Sequence, residues 1–183
     1  MKLMEIIEKR RAYRSLQPVE ITEEAVRDLA TAASLSASCF NHQPWRFVFA
    51  FEKEALDKVK AAMSKGNRWT YAASLIIAVC SRRDMDCPNP GRELYIFDCG
   101  MATAFLILKA TEMGLVAHPI AGYNEEMVKT ALAIPADMTV ITLVNVGKHL
   151  VPPNDLLSEE QKEIEKKRPE RIPLGEIMRL NRF

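Results

Sequence analysis

The chain has 183 residues, 48% of them apolar and 27% charged, with 25 Lys and Arg against 24 Asp and Glu. That length suits one domain with a full core, and the composition is that of an ordinary globular protein. The formal net charge of +1 excludes a whole-molecule field for nucleic acid or anionic lipid, so any bound anion must be held by a local cluster.

Met4 to Lys9 predicts a short helix that delivers a basic cluster, Lys9, Arg10, Arg11 and Arg14. Guanidiniums this close repel one another unless an anion sits among them, and Arg is suited to bidentate phosphate contact. The competing reading is a solvated surface cluster. Thr22 is a good N-cap, with Glu23 and Glu24 at the positive end of the helix dipole. Val26, Leu29 and Ala33 then mark a buried face at helical spacing. Ser34 to Phe47, S-L-S-A-S-C-F-N-H-Q-P-W-R-F, is a loop-like crossing, and such crossings concentrate binding residues.

Trp45 to Phe51 predicts a strand and Lys53 to Met63 an amphipathic helix. Ser64 to Tyr71 is a polar turn. Ala73 to Cys80 is apolar throughout, the mark of a central strand covered on both faces. Ser81 to Gly91 reads as a surface loop. Glu93 to Met113 is apolar almost all round, which predicts burial against the sheet and a partner subunit; Gly114 caps it. A short strand and Gly turn follow over Leu115 to Tyr123. Asn124 caps another helix, and a strand over Met138 to Val146 is expected to end at Gly147. From His149 the composition shifts to prolines, an acid-rich helix (Ser158 to Lys167) and a basic segment. The expectation is one α+β domain over 1–183, with 150–183 an extended tail on a neighbouring chain.

No apolar run reaches the roughly 20 residues of a bilayer span, and the charged N terminus does not read as a signal peptide. The cysteines (Cys39, Cys80, Cys87, Cys99) show no C-x-x-C spacing. This predicts reduced thiols, no zinc or redox dithiol, and a cytoplasmic setting. His42, His118 and His149 are scattered, so no metal site is expected, and His118 reads as a satisfied strand histidine. Dinucleotide, phosphate-loop and serine-hydrolase motifs are absent from the sequence.

Five segments, K-R-R-A-Y-R, A-S-C-F-N-H-Q-P-W-R-F, G-N-R-W, H-P-I-A-G-Y and R-I-P-L-G-E-I, occur in an order and spacing that resembles the FMN-dependent nitroreductase family. The resemblance covers nearly the whole chain. It implies a nitroreductase-like fold, with a mostly antiparallel sheet flanked by helices and a C-terminal tail swapped within a homodimer. It also implies FMN as cofactor, NADH or NADPH as electron donor, and a small-molecule acceptor such as a nitroaromatic or quinone. No nucleic acid or membrane partner is implied.

By the same resemblance, Arg10 and Arg11 meet the FMN phosphate and ribityl chain, and Arg14 sits near the pyrimidine edge of the flavin. Arg171 and Arg168 reach the phosphate from the C-terminal side. Ala37, Ser38 and Cys39 cover the isoalloxazine from the second subunit, with Asn41 and Gln43 pinning that turn. Asn67 lies at the flavin edge, and Pro119, Ile120, Ala121 and Gly122 approach flavin N5. The chemistry would belong to the flavin, with no protein residue as obligatory acid or base. Ala12, Ala37, Cys39 and Ala121 depart from the family's usual Ser, Pro, Ser and acidic residue. Reductive dehalogenation, flavin fragmentation and flavin sensing without turnover remain alternatives on the same fold.

Overall fold

The structure, a computed structural model, describes residues 2–183. Seven helices and five strands follow in the order α1 (Leu3–Lys9), β1 (Leu16–Gln17), α2 (Glu23–Ser34), β2 (Arg46–Ala50), α3 (Lys53–Lys60), β3 (Leu75–Ser81), α4 (Leu94–Glu112), β4 (Val116–Ile120), α5 (Glu125–Leu132), β5 (Thr139–His149), α6 (Glu159–Lys166) and α7 (Leu174–Ile177). This is the α+β architecture the sequence predicts.

β5 is the hub of the sheet. Residues 143–146 pair with β3 and with β4 at once, so those two strands lie on opposite edges of β5. β2 pairs with the outer edge of β3, and β1 joins the end of β5 through Leu16 opposite His149 and Gln17 opposite Lys148. Every pairing is antiparallel. Along β3 the side chains alternate between two cores. Ile76, Ala78 and Cys80 pack under α3 and α5 with Leu56, Val59 and Val128. Leu75, Ile77 and Val79 pack under α2 and α4 with Leu29, Ala102 and Leu106. A strand apolar on both faces is therefore the central layer of a three-layer sandwich.

The cap signals at Thr22, Asn124 and Gly114 act as expected. Thr22 Oγ1 accepts from the Ala25 amide at 3.1 Å, and Asn124 Oδ1 accepts from the Met127 amide at 3.0 Å. Ser158 and Gln161 form a reciprocal capping box at the start of α6. Gly114, just past α4, takes φ +77°, the left-handed conformation a C-terminal cap needs.

Gly147 does not end β5, which runs two residues further. A Cβ there would sit 3.4 Å from both the Gln17 carbonyl oxygen and Leu16 Cβ, so the glycine serves the close approach of β1. The tail also divides differently. Residues up to Arg168 pack on this chain, with Leu157 in the core and Glu165 buried, whereas 169–183 are exposed throughout. Helix α4 is long and apolar enough to cross a membrane by length and composition, but it lies against β3, β4 and α2. It leaves Ile96, Phe97 and Phe105 exposed.

Candidate functional site

The N-terminal basic cluster and the C-terminal arginines meet. Arg10, Arg11, Ala12, Arg14, Arg168 and Arg171 line one pocket of about 320 Å³ together with His118, Ile164, Glu165 and Pro169. A second, mainly apolar cavity of about 330 Å³ adjoins it. Arg10, Ala12 and His118 line both, and Ile7, Ala104, Ile107, Leu108, Ala117 and Pro119 complete the second. The combined groove has a cationic end and an apolar end.

The arginines are not equivalent. Arg11 Nη2 donates to the carbonyls of Ile164, Glu165 and Lys167 at 3.1–3.3 Å, and its guanidinium lies 4.3 Å from the centre of the Tyr13 ring. Its donors are occupied in tying the N terminus to the end of α6, which narrows its expected role at a ligand. Arg168 donates to the carbonyls of Glu8 and Arg10. The side chains of Arg10, Arg14 and Arg171 have no hydrogen-bond or ion-pair partner among the described residues. Burial, and then the neighbouring Arg168 and Arg171 charges, hold Arg10 below the ordinary arginine value. A half-buried cation beside two others, with no carboxylate on it, is arranged for an external anion.

One lining residue of the pocket, Glu165, was not singled out by the sequence. Glu165 lies within the acid-rich helix α6, and nothing in that pattern separates it from its solvated neighbours. Its carboxylate accepts from the Arg14 amide at 2.9 Å and the Ser15 amide at 3.4 Å. It also lies 3.7 Å from His149 Nε2, and the His149 ring stacks on Tyr13 with centroids 3.6 Å apart. Glu165 thereby fixes the backbone that carries Arg14. His118 is the satisfied strand histidine expected. Its Nδ1 lies 3.0 Å from the Tyr13 carbonyl, an acceptor, so this nitrogen carries the proton of a neutral ring. Burial, with Arg14 and Arg10 adding to it, lowers its pKa to about 4 against the opposing pull of that carbonyl.

The expected rim residues fall into two groups. Pro119 lines the apolar end, whereas Ile120 points into the core. Asn67 is occupied internally: Nδ2 donates to the Gly122 carbonyl at 2.8 Å, and Oδ1 accepts from Trp69 Nε1 at 3.2 Å. Its amide braces the loop after β4 instead of standing free. Gly122 is required there, because a Cβ would lie 2.6 Å from Asn67 Nδ2.

Ala37, Ser38, Cys39 and Asn41 line neither cavity of the same chain. Their turn is held by the Gln43 amide donating to Ser38 Oγ at 2.9 Å and the Cys39 amide donating to Asp98 Oδ2 at 2.8 Å. Phe40, Asn41 and Gln43 all take positive φ, and Phe40 is 90% exposed. Trp45, in contrast, is core. The expectation of four reduced cysteines fails: Cys39 and Cys87 form a disulfide across 48 residues, while Cys80 and Cys99 are buried free thiols. A spacing rule cannot register a pair brought together by the fold.

The chain is thus an α+β protein whose two-faced antiparallel sheet carries an arginine-lined groove between its chain ends. A family model described as the Nitroreductase family matches residues 7–148, and the chain belongs to that family. Among curated relatives, an Archaeoglobus fulgidus protein named provisionally as an NADH dehydrogenase/NAD(P)H nitroreductase is 28% identical over 148 residues, covering 79% of this chain and 83% of its own. A nitroreductase family protein from Clostridium difficile 630 superposes with a TM-score of 0.80 at 26% identity, covering 100% of both chains. A crystal structure described as an oxidoreductase containing FMN gives 0.83 at 26% identity, covering 97% of this chain and 91% of the other.

Proposed function

We propose that the chain is an FMN-dependent NAD(P)H oxidoreductase that reduces nitroaromatic, quinone or similar small acceptors and works as a homodimer. Oxidoreductase as a general class follows from the family. The observation that carries the cofactor is the Arg10 environment: a half-buried guanidinium beside Arg168 and Arg171 with no carboxylate to neutralise it. A phosphate monoester fits this set in charge and in donor geometry. The apolar end, lined by Ala12, Ala104, Ala117 and Pro119, suits a flat ring. The FMN named for a structure with the same fold supports the same reading.

When bound, FMN supplies hydride acceptance from NAD(P)H and delivery to the acceptor in alternate half-reactions. The chain binds and orients. Arg10, Arg14 and Arg171 offer free donors to the phosphate end, and Arg168 fixes the carbonyl of Arg10 and so its backbone. His118 is neutral near pH 7 and its Nδ1 proton is engaged, so it acts as wall and not as acid.

The homodimer rests on two exposed features. The α4 face of Ile96, Phe97 and Phe105 and the protruding Phe40 are large apolar groups left in water by one chain. A second copy covers them and brings its Ala37–Asn41 turn to the groove, with 169–183 reaching across the partner. The test is the purified protein itself. A yellow preparation that releases FMN, is bleached by NAD(P)H and oxidises NAD(P)H with menadione or a nitrofuran supports the proposal. A colourless protein that cannot be reconstituted with FMN overturns it.

A further inference from the structure

A second cluster of chemically active side chains lies away from the arginine groove. Cys39, in the turn after α2, and Cys87 and Asp86, in the connection before α4, place two sulfurs and a carboxylate oxygen all within 4.8 Å of one another. Asp98, on α4, adjoins them: its Oδ2 accepts from the Cys39 amide at 2.8 Å, and its carboxyl lies near that of Asp86. Asp86 is 4% and Asp98 3% exposed. Neither has a salt-bridge partner among the described residues. Asp86 Oδ1 accepts from the Cys87 amide at 2.7 Å, but Oδ2 is buried with no hydrogen-bond partner. Two adjacent buried carboxylates without a cation are costly, and an unpartnered buried oxygen calls for a donor, a proton or a metal.

We propose that, with the Cys39–Cys87 disulfide reduced, Cys39 Sγ, Cys87 Sγ and an Asp86 carboxylate oxygen bind one Zn²⁺, with Asp98 or a water as fourth ligand. Two thiolates and one or two carboxylates are a tetrahedral zinc donor set. Bonds of about 2.0–2.3 Å give ligand-to-ligand edges of roughly 3.3–3.8 Å in a tetrahedron; the Asp86 oxygen lies within 4.8 Å of both sulfurs, which part to that edge once the disulfide is broken. The amides of Cys39 and Cys87 hold Asp98 and Asp86 in place, the orienting contacts that ligating carboxylates need.

The exchange balances. The Sγ–Sγ bond takes up two electrons and two protons to give two thiols: a dithiol supplies both and closes to its own disulfide, or a phosphine becomes its oxide with oxygen and protons from water. Zn²⁺ displaces those protons as two Zn–S bonds form. Cys80 and Cys99 are buried free thiols outside this cluster. Disulfide and zinc are thus alternative staples joining the turn after α2, the connection before α4, and α4 itself. All four candidate ligands belong to one chain, and the test needs no bound flavin.

The test uses the full chain and Co²⁺ as a spectroscopic stand-in for zinc, read in the red, where oxidised flavin does not absorb. Thiol counts under denaturing conditions define the two states: four when reduced, two when oxidised. Reduced wild type is expected to take one equivalent with the intense ligand-field bands of a tetrahedral thiolate site, displaced by Zn²⁺; the oxidised protein shows none. C87S is expected to lose the bands. D86N, which keeps the side chain's shape, is expected to bind at least about tenfold more weakly. Absence of bands in the reduced protein overturns the proposal, as does wild-type binding in D86N. If C87S does not fold, D86N alone decides.

Discussion

Replacing Arg10 with Ala should separate ligand binding from folding. The guanidinium has no hydrogen-bond or ion-pair partner among the described residues, and the like charges of Arg168 and Arg171 act against it. Removing it leaves no buried acceptor unsatisfied and relieves a repulsion. A charge-assisted hydrogen bond to phosphate contributes about 1.5–3 kcal/mol, which converts to about a tenfold to hundredfold rise in Kd for FMN. The apoprotein should melt at the wild-type temperature or slightly above it. R11A should do the reverse: three carbonyls lose Nη2 and Tyr13 loses its stacked cation, so the apoprotein loses about 1–2 kcal/mol. Flavin fluorescence quenching measures the first quantity and thermal unfolding of apoprotein the second. A Kd for R10A within about twofold of wild type refutes the reasoning. So does a fall in its apo melting temperature of about 4 °C or more, which would report about 1 kcal/mol of lost internal contact.

Other consequences are equally direct. His118, lowered to about 4 from 6.5, takes up its proton more readily when unfolded, so it gives full stability above about pH 6.5 and loses it as pH falls toward 4. Between pH 6.5 and 5 this amounts to up to about 2 kcal/mol, and H118N should flatten that part of the urea-denaturation profile; an unchanged slope rejects the assignment. G122A should push Asn67 Nδ2 off the Gly122 carbonyl, destabilising the fold by about 1–3 kcal/mol and altering emission from Trp69, whose Nε1 donates to the same amide. F97E places a charge on the exposed α4 face and should convert a dimer to a monomer in sedimentation analysis; an unchanged dimer moves the interface elsewhere.

The sheet and its helices were legible because their signals are local. Thr22 and Asn124 cap helices through side chains three residues from their targets, and the unbroken apolar run of β3 can satisfy two faces only at the centre of a sandwich. Gly147 misled because a glycine that ends a strand and one that admits a neighbouring strand look alike in sequence. Of the candidate site, the arginines at both chain ends were legible, but their division of labour was not. Whether Arg11 or Arg10 is free depends on which meets the carbonyls of residues 164–167, a contact more than 150 residues away. Glu165 hid among solvated acids for the same reason, and Cys39 and Cys87 met only through the fold. Asp98 did leave a trace: a lone acid inside the apolar run of α4 is costly unless something nearby answers it.

The central claim is that the groove between the chain ends holds a phosphate. Apoprotein titrated with FMN and with riboflavin, which lacks only the phosphate, tests it most directly. Two or three charge-assisted contacts at about 1.5–3 kcal/mol each predict that FMN binds at least about a hundredfold more tightly, with the preference shrinking in R10A. Equal affinity for the two flavins would contradict it.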